Sequence, residues 1–170
     1  PDRRVLGVLI PAVEAAVKAT KSKRIGVIAT TGTVASQAFV HEIHKFDPTI
    51  EVFQNAAPLL VPLIENDGQK YAGPIIVDYL KPLLDQNIDT LVLGCTHYPL
   101  AKELISGCVG KNITLISQDE VVPASLKSYL HRHPEIEFQL SQTASHQFLV
   151  TDLSDTTENL AATIMGHNIG

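Results

Sequence analysis

A chain of 170 residues, 45% apolar and only 18% charged, holds enough material for one ordinary domain, or one domain with part of another, and is too apolar to stay disordered. Its net charge of -5, with no long basic run and no aromatic–basic cluster, argues against a nucleic-acid partner. It leaves a small anionic substrate open, because such a ligand needs local donors rather than a basic protein. No apolar run approaches the ~20 residues of a membrane span, and the opening Pro1-Asp2-Arg3-Arg4 lacks the apolar stretch of a signal peptide, so no membrane association is expected. Two cysteines, Cys95 and Cys108, without a CxxC pair, disfavour a disulfide scaffold or zinc ribbon and suit a cytoplasmic setting with reduced thiols. The chain opens without Met, and Val5–Ile10 is already an apolar run, which fits a piece of a longer protein.

The first β-rich apolar run, Ile25–Ala29, follows the basic turn Lys21–Arg24 and reads as a buried parallel strand. Thr33 to Phe46 reads as one helix, with Thr33 as N-cap and Val34, Ala38 and Ile43 on its buried face. Ile50–Phe53 is a second strand, and Gly68 to Gln86 contains a helix. Thr90–Leu93 is a third strand, ended by Gly94. Pro99 suits the first turn of a helix over Leu100–Ile105. Ile113–Ile116 is a fourth strand, Val121–His131 a helix, Gln147–Val150 a candidate fifth strand and Thr156–Met165 a last helix. The alternation predicts an α/β fold with a mostly parallel sheet and helices on both faces. The polar, irregular stretch His131 to His146 is the candidate joint between lobes.

Open parallel sheets place their sites at the carboxyl ends of strands. Three segments sit there: Thr30-Thr31-Gly32-Thr33, Gly94–Pro99, and Ala57–Glu65 beyond the second strand. A thiol between a strand and a helix start, as at Cys95, feels the positive end of the helix dipole, and His97 could favour the thiolate or relay a proton. A buried structural cysteine beside a surface histidine fits the same Cys-x-His pattern. Cys108, between Ile105 and Val109, reads as structural. The threonines form either a cradle for a carboxylate or phosphate or an ordinary helix cap. Glu65 reads as a carboxylate orienting an ammonium group or a histidine, or as a solvated loop residue. The remaining histidines, His41, His44, His131, His133, His146 and His167, show no metal-ligand spacing and read as surface residues; no metal site is expected.

Five stretches together resemble the glutamate racemase family, within the aspartate/glutamate racemases. They are Val5–Val8 with Pro11–Val13, Ile25–Thr33, Ala57–Glu65, Asp89–Leu100 and Phe148–Asp152, in the family's order; the string Leu-Gly-Cys-Thr-His-Tyr-Pro-Leu over 93–100 is the most specific. The resemblance implies an isomerase that interconverts L- and D-glutamate without cofactor, supplying D-glutamate for peptidoglycan and hence for cell-wall biogenesis and cell shape. In such enzymes one cysteine thiolate removes the α-proton and a second thiol returns a proton to the far face. By resemblance Cys95 is the second of these cysteines, His97 and Glu65 share the catalytic site, and Thr30, Thr33 and Thr96 bind substrate.

The family's Asp-Ser-Gly-x-Gly-Gly opening and its Ala-Cys-Asn-Thr-Ala segment, which bears the first cysteine, do not occur in these residues. Ala57 stands where the family often has Cys, and Ile116-Ser117-Gln118-Asp119 stands at an Ile-Asp-Ser-like turn. The resemblance therefore implies that residues 1–117 are the second α/β lobe and 118–170 a segment that returns to a missing N-terminal lobe. A homodimer is a candidate assembly. With one of two thiols, the isolated chain is expected to be inactive. Two other readings fit the residues: a racemase for aspartate or a similar acid, and a carboxylate-binding module without catalysis. The Thr30-x-x-Thr33 pair and Tyr98-Pro99 favour glutamate over aspartate.

Overall fold

The computed structural model describes residues 5–66, 68–141, 143, 145, 147–151 and 154–166. The chain divides into two compact units, Pro1–Leu126 and Lys127–Gly170.

The first unit is built on one four-stranded parallel sheet of order β2-β1-β3-β4. Its strands are β1 (Arg24–Ala29), β2 (Glu51–Ala56), β3 (Thr90–Gly94) and β4 (Thr114–Ile116). The expected α/β class and all four expected strands are present, with no end displaced by more than three residues. β2 begins after Ile50 and runs on to Ala56, and Gly94 is the last residue of β3 rather than its terminator.

After their first residues, Arg24 and Thr90, both central strands are apolar because both faces of the sheet are covered. From β1, Ile25, Val27 and Ala29 point to one side, where they meet Ala12, Val13 and Ala16 of α1 (Leu9–Ala19) and Phe39 and Ile43 of α3 (Ala38–Phe46). Ile28, with Leu91 and Leu93 of β3, points to the other side. There it meets Leu60 and Ile64 of α4 (Leu60–Glu65), Ile76 and Leu80 of α5 (Ala72–Leu84), and Ile105 of α6 (Lys102–Val109). Every one of these side chains is at most 3% exposed. At about 25 cal/mol per Å² of apolar surface, each large one contributes roughly 2 kcal/mol relative to exposure.

Several expectations are corrected. The single helix over 33–46 is two, α2 (Thr31–Ala35) and α3, because Gln37 takes a left-handed conformation, φ 54°, and interrupts the ladder. Thr30, not Thr33, is the N-cap: its hydroxyl accepts from Thr33 N. The buried face of α3 is Phe39 and Ile43, while Val34 and Ala38 are only half-buried. Val5–Ile10 leads into α1, a helix that the apolar run did not announce. The stretch from Gly68 opens as a 3-10 turn, Gly68–Tyr71, before α5. Pro99 does sit in a first turn, but of the 3-10 helix Tyr98–Ala101 that precedes α6.

Helix α7 (Gln118–Arg132) begins three residues earlier than expected and contains the division between the units. In the second unit, α8 (Pro134–Glu137) and α9 (Asp155–Met165) are the remaining helices among the described residues, and Ser154 caps α9. Residues 147–150 form no strand; Phe148, Leu149 and Val150 are each at least half exposed. His146, Asp152 and His167 lie outside the described residues, as does Pro1–Arg4.

At the amino end of β3, Asp89 binds the loop that enters β1. It accepts from Thr20 Oγ1 at 2.6 Å, Lys21 N at 2.7 Å and Ser22 N at 2.6 Å. Burial opposes the charge, but the bonds from Thr20, Ser22 and Lys21 outweigh it and hold the carboxyl well below the usual carboxylate range. A carboxylate with a depressed native pKa contributes stability that is complete above its unfolded value, near 4, and is lost as pH falls through the native one. Asp89→Asn should therefore cost about 1–2 kcal/mol at neutral pH, a charge-assisted bond discounted for partial exposure. Urea midpoints of the two proteins should converge as pH drops below about 4; a gap that stays constant into acid would contradict this account of Asp89.

Candidate functional site

The chain leaves β1, enters β2 on one side, and later returns to β3 on the other side of β1. The order of strands thus reverses between β1 and β3, and the crevice at such a switch point is where open α/β sheets bind ligands. The register ends with Ala29 opposite Gly94 and Ala29 opposite Ala56, so the three chains leave the sheet level with one another. Thr30 follows Ala29, Cys95 follows Gly94, and Ala57 follows Ala56.

Gly94 is required by the close approach. A Cβ there would lie 2.9 Å from Phe39 Cε2, 3.0 Å from Ala29 Cβ and 3.2 Å from the Ile28 carbonyl oxygen. The residue before Cys95 therefore has to lack a side chain for the two central strands to close.

Cys95 is a free, half-buried thiol, packed partly against the core on the α5 side. Thr96 beside it is exposed. His97 Nε2 lies 2.9 Å from Glu65 Oε1, the last residue of α4, with the two side chains 31% and 39% exposed. Such an exposed pair adds little to stability. Its consequence is orientational: with Glu65 ionised, the imidazole proton sits on Nε2, and Nδ1 is left as the acceptor. Glu65 thus lies at the end of α4 within hydrogen-bonding reach of His97.

Thr30 and Thr33 hydroxyls lie 3.0 Å apart at the start of α2, and Thr30 Oγ1 also accepts from Thr33 N at 3.4 Å. Both are half-buried. The pair forms an ordinary helix cap, with both hydroxyls just beyond the end of β1.

Tyr98 enters the sequence reading only with Pro99, as a mark of substrate preference, with no place in the site for its hydroxyl. It is fully buried, yet its hydroxyl donates to the Ala57 carbonyl oxygen at 3.1 Å. Burial first, then the neighbouring Cys95 and Tyr79, push its phenol far above the ordinary range, so it remains a donor at any working pH.

Of the six expected site residues, then, His97 and Glu65 meet directly, as do Thr30 and Thr33. Cys95 and Thr96 share the loop of His97, at the carboxyl end of the strand adjacent to β1. Cys108 lies apart on α6, half-buried against the core. Among the described residues, no three His, Cys, Asp or Glu side chains converge as a metal-ligand set, and no helix is long and apolar enough to cross a membrane.

The fold is thus an α/β domain with a parallel sheet, whose switch point lies beside a thiol and an imidazole–carboxylate pair. Residues 4–121 match the Asp/Glu/Hydantoin racemase family, and the chain belongs to it. The glutamate racemase of Chlorobaculum parvum is 38% identical over 167 residues, which is 97% of this chain and 61% of that protein. Among solved structures, a glutamate racemase isoform of Bacillus anthracis superposes with a TM-score of 0.89 at 34% identity, covering 100% of this chain and 64% of that one. The Francisella tularensis glutamate racemase, solved with D-glutamate, gives 0.82 at 29% identity, covering 96% and 60%. The chain thus spans about 60% of the length of the curated relatives it matches, corresponding to their C-terminal portion.

The close approach at Gly94 is open to test. Gly94→Ala should destabilise the protein by about 1–3 kcal/mol, the usual cost of overpacking a filled core, since Ile28 O belongs to a hydrogen-bonded strand that cannot yield. The urea midpoint should fall with an unchanged m-value; an unaltered midpoint would show that the strands have slack there.

Proposed function

We propose that this chain is the second-lobe half of a cofactor-independent glutamate racemase, and that Cys95 is one of its two proton-transfer groups. The carrying observation is the position of Cys95: a half-buried thiol at the carboxyl end of β3, beside the switch point, two residues from an imidazole held by Glu65. Relatives that are glutamate racemases along most of this chain support glutamate over aspartate as the substrate.

The chemistry balances without any further reagent. A thiolate on one face of the substrate takes the α-proton and becomes a thiol, leaving a carbanion whose charge spreads into the carboxylate. A thiol on the opposite face gives its proton to Cα and becomes a thiolate, and the product has the inverted configuration. In this reading His97, paired through Nε2 with Glu65, exchanges protons with Cys95 or with the substrate ammonium. Thr30, Thr33 and Thr96 supply hydroxyl and backbone N–H groups for the substrate carboxylates.

The first thiol is assigned to an N-terminal lobe outside this sequence, on which residues 118–170 return to pack after the lobe of residues 1–117. The complete enzyme would serve the cytoplasmic synthesis of D-glutamate for peptidoglycan, as a monomer or as a homodimer.

Two outcomes follow. The isolated chain should show no turnover of L- to D-glutamate by circular dichroism, since Cys108, on α6, is the only other thiol; turnover free of contaminating enzyme would overturn the two-thiol assignment. In the complete enzyme, Cys95→Ser should lower kcat by at least ~100-fold while leaving the thermal midpoint nearly unchanged, because the swap is almost isosteric but the hydroxyl is far less acidic. Near-normal racemisation by that variant would sink the role given to Cys95.

A further inference from the structure

The carboxyl ends of the three strands that carry the site are joined by one short chain of hydrogen bonds. Ala57 N donates to Ala29 O at 2.8 Å, which ties the end of β2 to the end of β1, one residue before Thr30. Ala57 O accepts from Tyr98 Oη at 3.1 Å, which ties the same residue to the loop after β3. Within that loop Tyr98 N donates to Cys95 O at 3.2 Å, and Leu100 N to His97 O at 3.1 Å. Ala57 and Tyr98 are both fully buried. The loop bearing Cys95 and His97 is therefore fixed, through one phenol, to the segment that runs from Ala57 through α4 to Glu65.

The phenol is the only side-chain link in that chain of bonds. The ring of Tyr98 packs in the core formed with Leu60, Ile64 and Leu93, so its hydroxyl is delivered to Ala57 O by packing rather than by a flexible tether. Ala57 O also accepts from Leu60 N at 3.2 Å, which fixes the carbonyl to the first residue of α4, and in a dry surrounding the phenol's bond to it is costly to leave unmade. The partner it holds in place is the more exposed contact. His97 and Glu65 sit on separate elements, each about a third exposed, and such a pair has little strength to maintain its own geometry. The two ends must be brought together by something else, and the Tyr98–Ala57 bond is the connection closest in sequence to His97.

We infer that Tyr98 is a positioning residue: its hydroxyl, through Ala57, sets the loop of Cys95 and His97 against α4 so that Glu65 reaches His97. This rests on the racemase reading for its effect on rate, but its structural core concerns only the His97–Glu65 contact. The high phenol pKa, set by burial, keeps the link in its donor form throughout the pH range in which a thiol and an imidazole titrate.

Tyr98→Phe in the complete protein removes the hydroxyl and leaves the ring. The kcat should fall roughly tenfold with KM changed less than about twofold, the pattern of a group displaced in the transition state rather than of lost substrate binding. Its pH–rate profile should coincide with that of Glu65→Gln. The double variant Tyr98→Phe/Glu65→Gln should be no more than about twofold slower than the slower single variant, because both act on one contact. A Tyr98→Phe protein that melts at lower temperature but keeps the wild-type kcat and pH profile would reduce Tyr98 to a structural tie and overturn the inference, as would full additivity in the double variant.

A second reading needs no turnover. In the nuclear Overhauser spectrum of the complete protein, cross-peaks between the His97 ring and the Glu65 side chain should lose more than half their intensity in Tyr98→Phe; unchanged cross-peaks would overturn the inference. Absence of racemisation by the wild-type protein would defeat the functional reading alone, and the cross-peaks would still decide the role of Tyr98.

Discussion

The parallel pairing of β1 with β3 closes on Ala29 and Gly94, and nearly everything at the site depends on how tightly it closes. Gly94 has no room for a side chain because Ala29, Ile28 and Phe39 crowd the space where one would be. That contact brings the two central strands to the same level at their carboxyl ends. The next residue on one chain is Thr30, and on the other Cys95. A looser pairing would separate the hydroxyl pair from the thiol.

A second constraint acts across the third chain. β2 is an edge strand, and the segment after it would wander if nothing held it. Ala57 bonds both ways, to Ala29 and to Tyr98, so α4 starts from a fixed point and ends with Glu65 against His97. Strand ends carry unpaired N–H and C=O groups, and here they are satisfied by one another at the place where the candidate site residues emerge.

Much of this was legible in the residues. Ile25–Ala29 and Thr90–Leu93 announce themselves as strands buried on both faces, since no polar residue alternates through them. The loop Gly94–Pro99 could be placed at a strand end, and the resemblance carried by 93–100 then named its chemistry. Other features gave no signal. The break at Gln37 depends on a left-handed backbone at a residue with no strong preference for it, where Gly or Asn would have been read at once. α1 was hidden because its fully buried residues, Ala12, Val13 and Ala16, are small and do not form a conspicuous stripe. The supposed strand at 147–150 has the composition of one, yet a strand exists only by pairing, and Phe148, Leu149 and Val150 remain exposed. The roles of Tyr98 and Asp89 lie in contacts 41 and 67 to 69 residues away in sequence, which no local pattern encodes.

The central claim is that Cys95 transfers the proton on one face of the substrate only. The most direct test follows the α-proton of each glutamate enantiomer in deuterated solvent, using the complete enzyme with Cys95→Ser. If Cys95 serves one face, a thiol on the other should still exchange the α-proton of one enantiomer, without inversion, while exchange from the opposite enantiomer is lost. Loss of exchange from both enantiomers would contradict the account and assign Cys95 to binding or structure.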